Sequence, residues 1–404
     1  MSRQIQLSIT KKNQIKKILS ILVSTVESSP QNENNIGLYS GIAGELLFLY
    51  KVSQFAPELV NEELFNIKLQ FLQNSLSPAI GFNLSSGLSG IGWFLEYINQ
   101  AQAGNYDIDL CEDIDRILLE TVGISPWAGE IEMVLGLSGL SVYSARRQKK
   151  SLQIIFYEKL ISQYEGLATQ VTEDTLTWQQ PQHSIFRLNK SDLNKAEFNI
   201  GLAHGVVGII AAILPALTIP SLFYRSQKLL KQSCDWLLQQ QLEGIDKQSY
   251  FSSTSNGAHS SRLGWCYGDL TIALTLFRVG KALDIPLYQD KALEVALHAS
   301  QRDEETGMVH DAGLCHGSAG LAVIFQAFFH ESRVAEFQIA AEKWLGSTLQ
   351  TYQNKGLVGF YQVSGFDLTS SESTGFLEGY AGIGLCLLAC LNDEADWLDC
   401  LLLS

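Results

Sequence analysis

The chain has 404 residues, 46% of them hydrophobic, and a formal net charge of −14. So acidic a chain is a poor ligand for a phosphate backbone or an anionic membrane surface, which argues against nucleic acid as a partner. Seven cysteines, an odd number in a long chain, argue against a disulfide framework.

At the N-terminus, MSRQIQLSITKKNQIKKILSIL lacks the basic, apolar and small-residue succession of a signal peptide. The longest apolar run, Val206 to Leu217, is too short to span a bilayer and is broken by Pro215. The expectation is a cytoplasmic protein that is not transmembrane.

A glycine motif then recurs along the chain. It reads YSGIAG at 39–44, SSGLSG at 85–90, LGLSG at 135–139, AHGVVG at 203–208, CYGDLT at 266–271, CHGSAG at 315–320 and EGYAGIG at 378–384. The leading glycines are Gly41, Gly87, Gly136, Gly205, Gly268, Gly317 and Gly379, spaced by 46, 49, 69, 63, 49 and 62 residues. Each motif opens a stretch with apolar residues three and four apart, as in GIAGELLFLYKV and GSAGLAVIFQAFF, which predicts a helix. Glycines three apart at a helix start strip side chains from one face and permit close approach. Further helical stretches, such as YQDKALEVALHASQ, lie between motifs, so each repeat predicts a pair of helices. The ends of the array carry apolar sequence (GELLFLY, GIGLCLLACL) instead of polar caps, which favours closure into a double-layered ring over an open solenoid. Cys386 and Cys390, four apart on an apolar helix, read as core, as does Cys234.

Two intervals are longer than a helical pair requires. The segment from Lys149 to Phe198 reads as an inserted lobe, with the polar, strand-like run ATQVTEDTLTWQQPQHSIFRLNKSDLNKAEFN and no clean helical period over that run. A Ser-, Asn- and Gly-rich loop near Gln240–Arg262 leads into the Cys266 motif and is expected at the mouth of a site.

Three motif loops carry ligand-type residues beside the glycine: His204, Cys266, and Cys315 with His316. If the repeats close into a ring, equivalent positions converge and these distant residues become one cluster. Two thiolates and an imidazole, Cys266, Cys315 and His316, make a soft set that prefers zinc. Three protein ligands leave the fourth tetrahedral position open, the pattern of a catalytic site. Such an ion activates water or binds a substrate thiol and lowers its pKa. Two thiolate ligands blunt Lewis acidity, which favours the thiol.

With the motifs GLAHG at 201–205, RLGWCYG at 262–268 and LCHGSAG at 314–320, the sequence resembles the lanthionine synthetase C-like family over essentially its whole length. The resemblance implies an all-α fold, an α/α toroid of seven helical layers, as one domain over 1–404 with a small inserted lobe at about 149–198. It implies a free-standing cyclase that adds cysteine thiolates to dehydroalanine or dehydrobutyrine, forming lanthionine or methyllanthionine rings in a precursor peptide. It also implies one Zn2+ per chain on Cys266, Cys315 and His316, with His204 as acid/base and Arg262 as an active-site arginine. The implied partners are a dehydrated precursor peptide with its leader, a separate dehydratase and an exporter, with loose membrane association only through such a complex. Two positions depart from the family pattern. Glu132 stands where an aspartate is usual, keeping the charge but moving it, and is carried over as a catalytic residue. Thr271 replaces a motif glycine and is expected to crowd a helix contact. The competing readings are addition of glutathione or another small thiol to dehydrated residues, a non-catalytic zinc-containing peptide-binding protein, and a helical glycoside hydrolase. The last would need paired carboxylates and leaves the ligand motifs unexplained. Tyr267, His259, His310 and Asp311 flank the ligand motifs as lesser candidates, Asp311 as an orienting partner for a ligand histidine.

Overall fold

The computed structural model describes all residues except 1–6, 78, 103, 189–195, 244–247 and 365–367. Among them are fourteen α-helices: α1 (Ile9–Glu27), α2 (Ile42–Phe55), α3 (Glu62–Asn74), α4 (Leu88–Gln100), α5 (Glu112–Val122), α6 (Leu137–Arg146), α7 (Lys150–Leu167), α8 (Val206–Ile213), α9 (Phe223–Leu238), α10 (Asp269–Leu283), α11 (Pro286–Gln301), α12 (Ser318–Ser332), α13 (Ala335–Lys355) and α14 (Tyr380–Asn392). Two short antiparallel hairpins pair β1 (Thr169–Gln170) with β2 (Leu176–Thr177) and β3 (Gln362–Ser364) with β4 (Thr369–Ser371).

Each leading glycine is the N-cap of an even-numbered helix. These helices are buried almost all round, α14 from Tyr380 to Leu391 without a break. The odd-numbered helices are amphipathic, as in α5, where Ile114, Asp115, Leu118 and Val122 face inward. Successive even-numbered helices touch, α2 to α4, α4 to α6 and so on to α14, and α14 touches α2 again. Each is backed by an odd-numbered helix. The partner of α14 is α1, so the two ends of the chain form the last pair.

The loops ahead of the even-numbered helices are joined the same way. Backbone N–H groups of Tyr39, Ser85, Met133, Ala203, Trp265, Cys315 and Leu377 donate to Ser85, Val134, Ala203, Cys266, Cys315, Leu377 and Tyr39 respectively, so the series returns to its start. Close approach is why the motif needs its second glycine. A Cβ on Gly320 would lie 1.9 Å from the Leu314 carbonyl oxygen, and the same clash recurs in the five other motifs that carry this glycine. In those six motifs the first helical N–H bonds the carbonyl seven residues back, as Ser318 does to Asp311.

The fifth motif solves the problem differently. Thr271 is buried, its hydroxyl 3.4 Å from the Gly268 carbonyl. Room for it comes from Gly268, whose φ of +113° only glycine adopts readily and which turns the loop away from the path of the others. The crowding expected of Thr271 is thus relieved in the backbone.

The segment 149–198 divides in two. Its first part is α7, with Leu152, Phe156, Leu160, Ile161 and Tyr164 buried against α5 and α6, so it backs α6 as the other odd-numbered helices back their partners. The part outside the helical pairs begins after Leu167, with the β1–β2 hairpin and a chain of turns held by Trp178, whose indole N–H donates to the Tyr164 carbonyl at 2.9 Å. Residues 189–195 of that segment, and 244–247 of the loop near Gln240–Arg262, lie outside the described residues. The rest of that loop is zipped to the strand-like segment before His204 through Ile200 N–H to Ser253 O and Ser255 N–H to Phe198 O. No helix among the described residues is long and apolar enough to cross a membrane.

Candidate functional site

The fifth, sixth and seventh loops are stitched by Trp265 N–H to Cys315 O at 2.6 Å and Cys315 N–H to Leu377 O at 2.8 Å. This stitching brings Cys266 beside Cys315 and His316, whose ligand atoms all lie within 4.8 Å of one another. Both cysteines are buried, at 9% and 6% exposure. The hydrogen bond from Cys315 holds the Cys266 thiol well below its ordinary range, with His316 and Arg262 acting in the same direction. Cys315, the donor, is pushed up correspondingly, by that bond and by burial. Burial would lower the His316 imidazole, but the bond to Cys266 and its charge outweigh this and raise it to about 9. The cluster is therefore built around negative sulfur.

His316 Nδ1 is buried without a hydrogen-bond partner. Its Nε2 faces Asp311 Oδ2 at 3.5 Å, and Asp311 is fixed by the N–H groups of Gly313 at 2.8 Å and Val363 at 3.1 Å. A carboxylate behind one imidazole nitrogen, on a ring whose ligand atom lies within 4.8 Å of two thiols, is the arrangement of an oriented metal ligand. The donor set fits a soft divalent ion such as zinc. Glu378 Oε1 lies 4.0 Å from Nδ1, and burial raises its pKa.

The third and fourth loops supply the second group. Ala203 N–H donates to Cys266 O at 3.2 Å, tying the His204 loop to the cysteine loop. His204 Nδ1 is 2.8 Å from Glu132 Oε2. Glu132 is buried and pinned by the N–H groups of Val134 at 2.8 Å and Leu135 at 2.6 Å. These bonds take up the extra methylene of a glutamate and still deliver its oxygen to the imidazole. Tyr267 bridges the two groups: its ring centroid is 6.3 Å from that of His204, and its hydroxyl accepts from Asn199 Nδ2 at 2.8 Å. Burial raises the Tyr267 phenol. Arg262 is half-buried near Cys266, and among the described residues its guanidinium has no hydrogen-bond or ion-pair partner.

All six sequence-derived site residues therefore belong to four consecutive loops, the third to the sixth, joined by backbone bonds. His259 and His310 are exposed and stand apart from the ligand cluster. Three residues were not singled out by sequence: Phe186, which stacks on His204, Asn199 and Glu378. Phe186 comes from a polar run with no period, so nothing local marks it. Glu378 had a signal, since it directly precedes the seventh motif glycine.

The sequence profile of the family described as lanthionine synthetase C-like protein matches residues 32–402. Among solved structures, the chain is similar to a nisin cyclase with a TM-score of 0.75 and 19% identity, covering 98% of each chain. A sugar epimerase from a ruminal bacterium aligns with a TM-score of 0.48 and 13% identity over 76% of this chain and 87% of the other, too loose a likeness to bear on function.

Proposed function

Because the chain belongs to the lanthionine synthetase C-like family, we propose that it is a zinc-dependent peptide cyclase that adds cysteine thiols to dehydroalanine or dehydrobutyrine within one peptide. The observation that carries this reading is the imidazole–carboxylate pair His204–Glu132 tied by backbone bonds to a cluster of two thiols and an unpaired imidazole nitrogen. The scaffold in this reading is an α/α toroid of seven helical pairs, a single domain whose lobe follows α7. Cys266, Cys315 and His316 would hold the zinc, which when bound takes a substrate thiol and lowers its pKa.

The protein's own groups do the rest. Glu132 accepts from Nδ1 of His204, fixes that tautomer and leaves Nε2 to exchange a proton. His204 takes the proton of the substrate thiol and returns it to the α-carbon. Arg262, whose guanidinium has no partner among the described residues, offsets the charge that develops on the acceptor's carbonyl oxygen. The substrate in this reading is a dehydrated precursor peptide with its leader, delivered by a separate dehydratase and taken up by an exporter, and the setting is the cytoplasm.

The test is incubation of zinc-loaded protein with a dehydrated peptide, then thiol alkylation and mass spectrometry. Ring closure leaves the mass unchanged and removes alkylatable thiols. A mass increase by one glutathione when that thiol is supplied, with the peptide thiols still alkylatable, overturns ring closure in favour of small-thiol addition.

A further inference from the structure

Phe186 lies on the face of His204 with ring centroids 3.7 Å apart and planes within 16°. It is held there by a tight turn. The Ser184 hydroxyl accepts from Phe186 N–H at 3.1 Å and from Gln180 Nε2 at 2.9 Å, and Ser184 N–H donates to Pro181 O at 3.1 Å. Ser184 and Arg187 on either side are buried, at 6% and 2% exposure, so the turn is anchored at both ends. The turn also faces the loop that holds His204 from its edge: Glu130, two residues before Glu132, interacts with Ser184. His204 is thus clamped twice, at its Nδ1 edge by Glu132 and over one face by Phe186.

An imidazole with one hydrogen bond can still rotate about that bond. A stacked phenyl ring removes this freedom, because rotation would break the stack or drive the rings together. For a group that only takes a proton from a thiol, the orientation of the plane matters little. For one that delivers a proton to carbon it matters a great deal. When sulfur bonds to the β-carbon, the π pair of the double bond moves into a planar enolate. The proton that His204 took from the thiol then bonds to the α-carbon from one side or the other, and the side decides the configuration.

We propose that Phe186 is a positioning residue that fixes the plane of His204 and thereby the face of the enolate that is protonated. This rests on the cyclase reading and assigns the stereochemical control of its second step. Nothing in it requires Phe186 to touch substrate.

The test uses zinc-loaded protein and a synthetic peptide with one dehydroalanine and one cysteine. The measurement is the ratio of the two α-carbon epimers in the hydrolysed product, by chiral gas chromatography. The unmutated protein and Phe186→Tyr, which keeps the stack, are expected to give one epimer. Phe186→Ala is expected to raise the other to roughly a tenth of product or more and to lower kcat about tenfold with little change in KM. In the resting protein, the upfield ring-current shift of the His204 carbon-bound protons should vanish in Phe186→Ala and persist in Phe186→Tyr. A single epimer from Phe186→Ala overturns the proposal. A single epimer at the unmutated rate from His204→Asn, run in parallel, overturns instead the acid/base role on which it stands.

Discussion

Two of the buried polar clusters among the described residues differ in one respect. In the first, Arg147 reaches Asp115 Oδ1 from Nε at 3.0 Å, Glu96 from Nη1 at 2.6 Å, and Asp115 Oδ2 and the Ile108 carbonyl from Nη2, both at 2.8 Å. Tyr106 and Gln100 donate to the remaining Glu96 oxygen and Tyr143 to Asp115. Every nitrogen of the guanidinium and both carboxylates are used. In the second, Cys266, Cys315 and His316 bring three ligand atoms within 4.8 Å of one another, and an imidazole nitrogen is buried with no partner among the described residues. Buried polar groups are ordinarily satisfied. The closed network is complete without anything further and joins α4, α5 and the end of α6. The open one has donor atoms left for a ligand. Single unpaired atoms such as Ser89 Oγ, Trp93 Nε1 and Trp344 Nε1 are scattered elsewhere; what marks the place where chemistry is to be sought is unfinished bonding in a group of side chains that can all ligate one ion.

The comparison breaks or sharpens under four substitutions. Cys315→Ala should abolish stoichiometric zinc binding by metal analysis. Against zinc-free unmutated protein it should cost only about 1 kcal/mol in denaturant unfolding, the usual scale for a point substitution. Full zinc occupancy in this variant would remove the cluster as a metal centre. Arg147→Met should do the reverse. It strands two buried carboxylates and should cost roughly 3–5 kcal/mol of stability, while the folded fraction still binds zinc. Normal stability would mean the closed network is not what holds α4, α5 and α6 together. The smallest effect is expected within the His204–Glu132 pair. His204→Asn should keep zinc and lose roughly 10²-fold in ring closure, as for a lost acid/base. Glu132→Gln should lose less, since the amide still accepts a bond from the imidazole. Loss of zinc in His204→Asn would make His204 a ligand and the site a closed one.

The fifth loop shows where reading by repeat meets its limit. Six motifs obey one rule, a second glycine packed on the carbonyl six residues back. The remaining instance, the fifth, with Thr271, reads as a crowded version of the same thing, but the chain takes another route through a positive φ at Gly268. A pattern of residue types predicts which positions need space; it does not predict which backbone rotation will make it. The same holds for α7, whose amphipathic sequence was read with the polar run that follows because the interval was long. Its packing on α5 and α6 puts it with the odd-numbered helices that back the even-numbered ones.

Sequence by itself determined the helices, because a period of three to four apolar residues and a capping glycine are local signals. It also determined the candidate ligands, since cysteine and histidine at equivalent places in repeated motifs converge in any arrangement that superposes the repeats. Tertiary structure alone decided the rest. The cyclic series of backbone bonds, the pairing of α1 with α14, the carboxylate of Asp311 behind His316 and the ring of Phe186 over His204 each join residues far apart or unmarked in the chain. Their partners are chosen by which atoms remain unsatisfied once the helices have packed, and no local pattern carries that information.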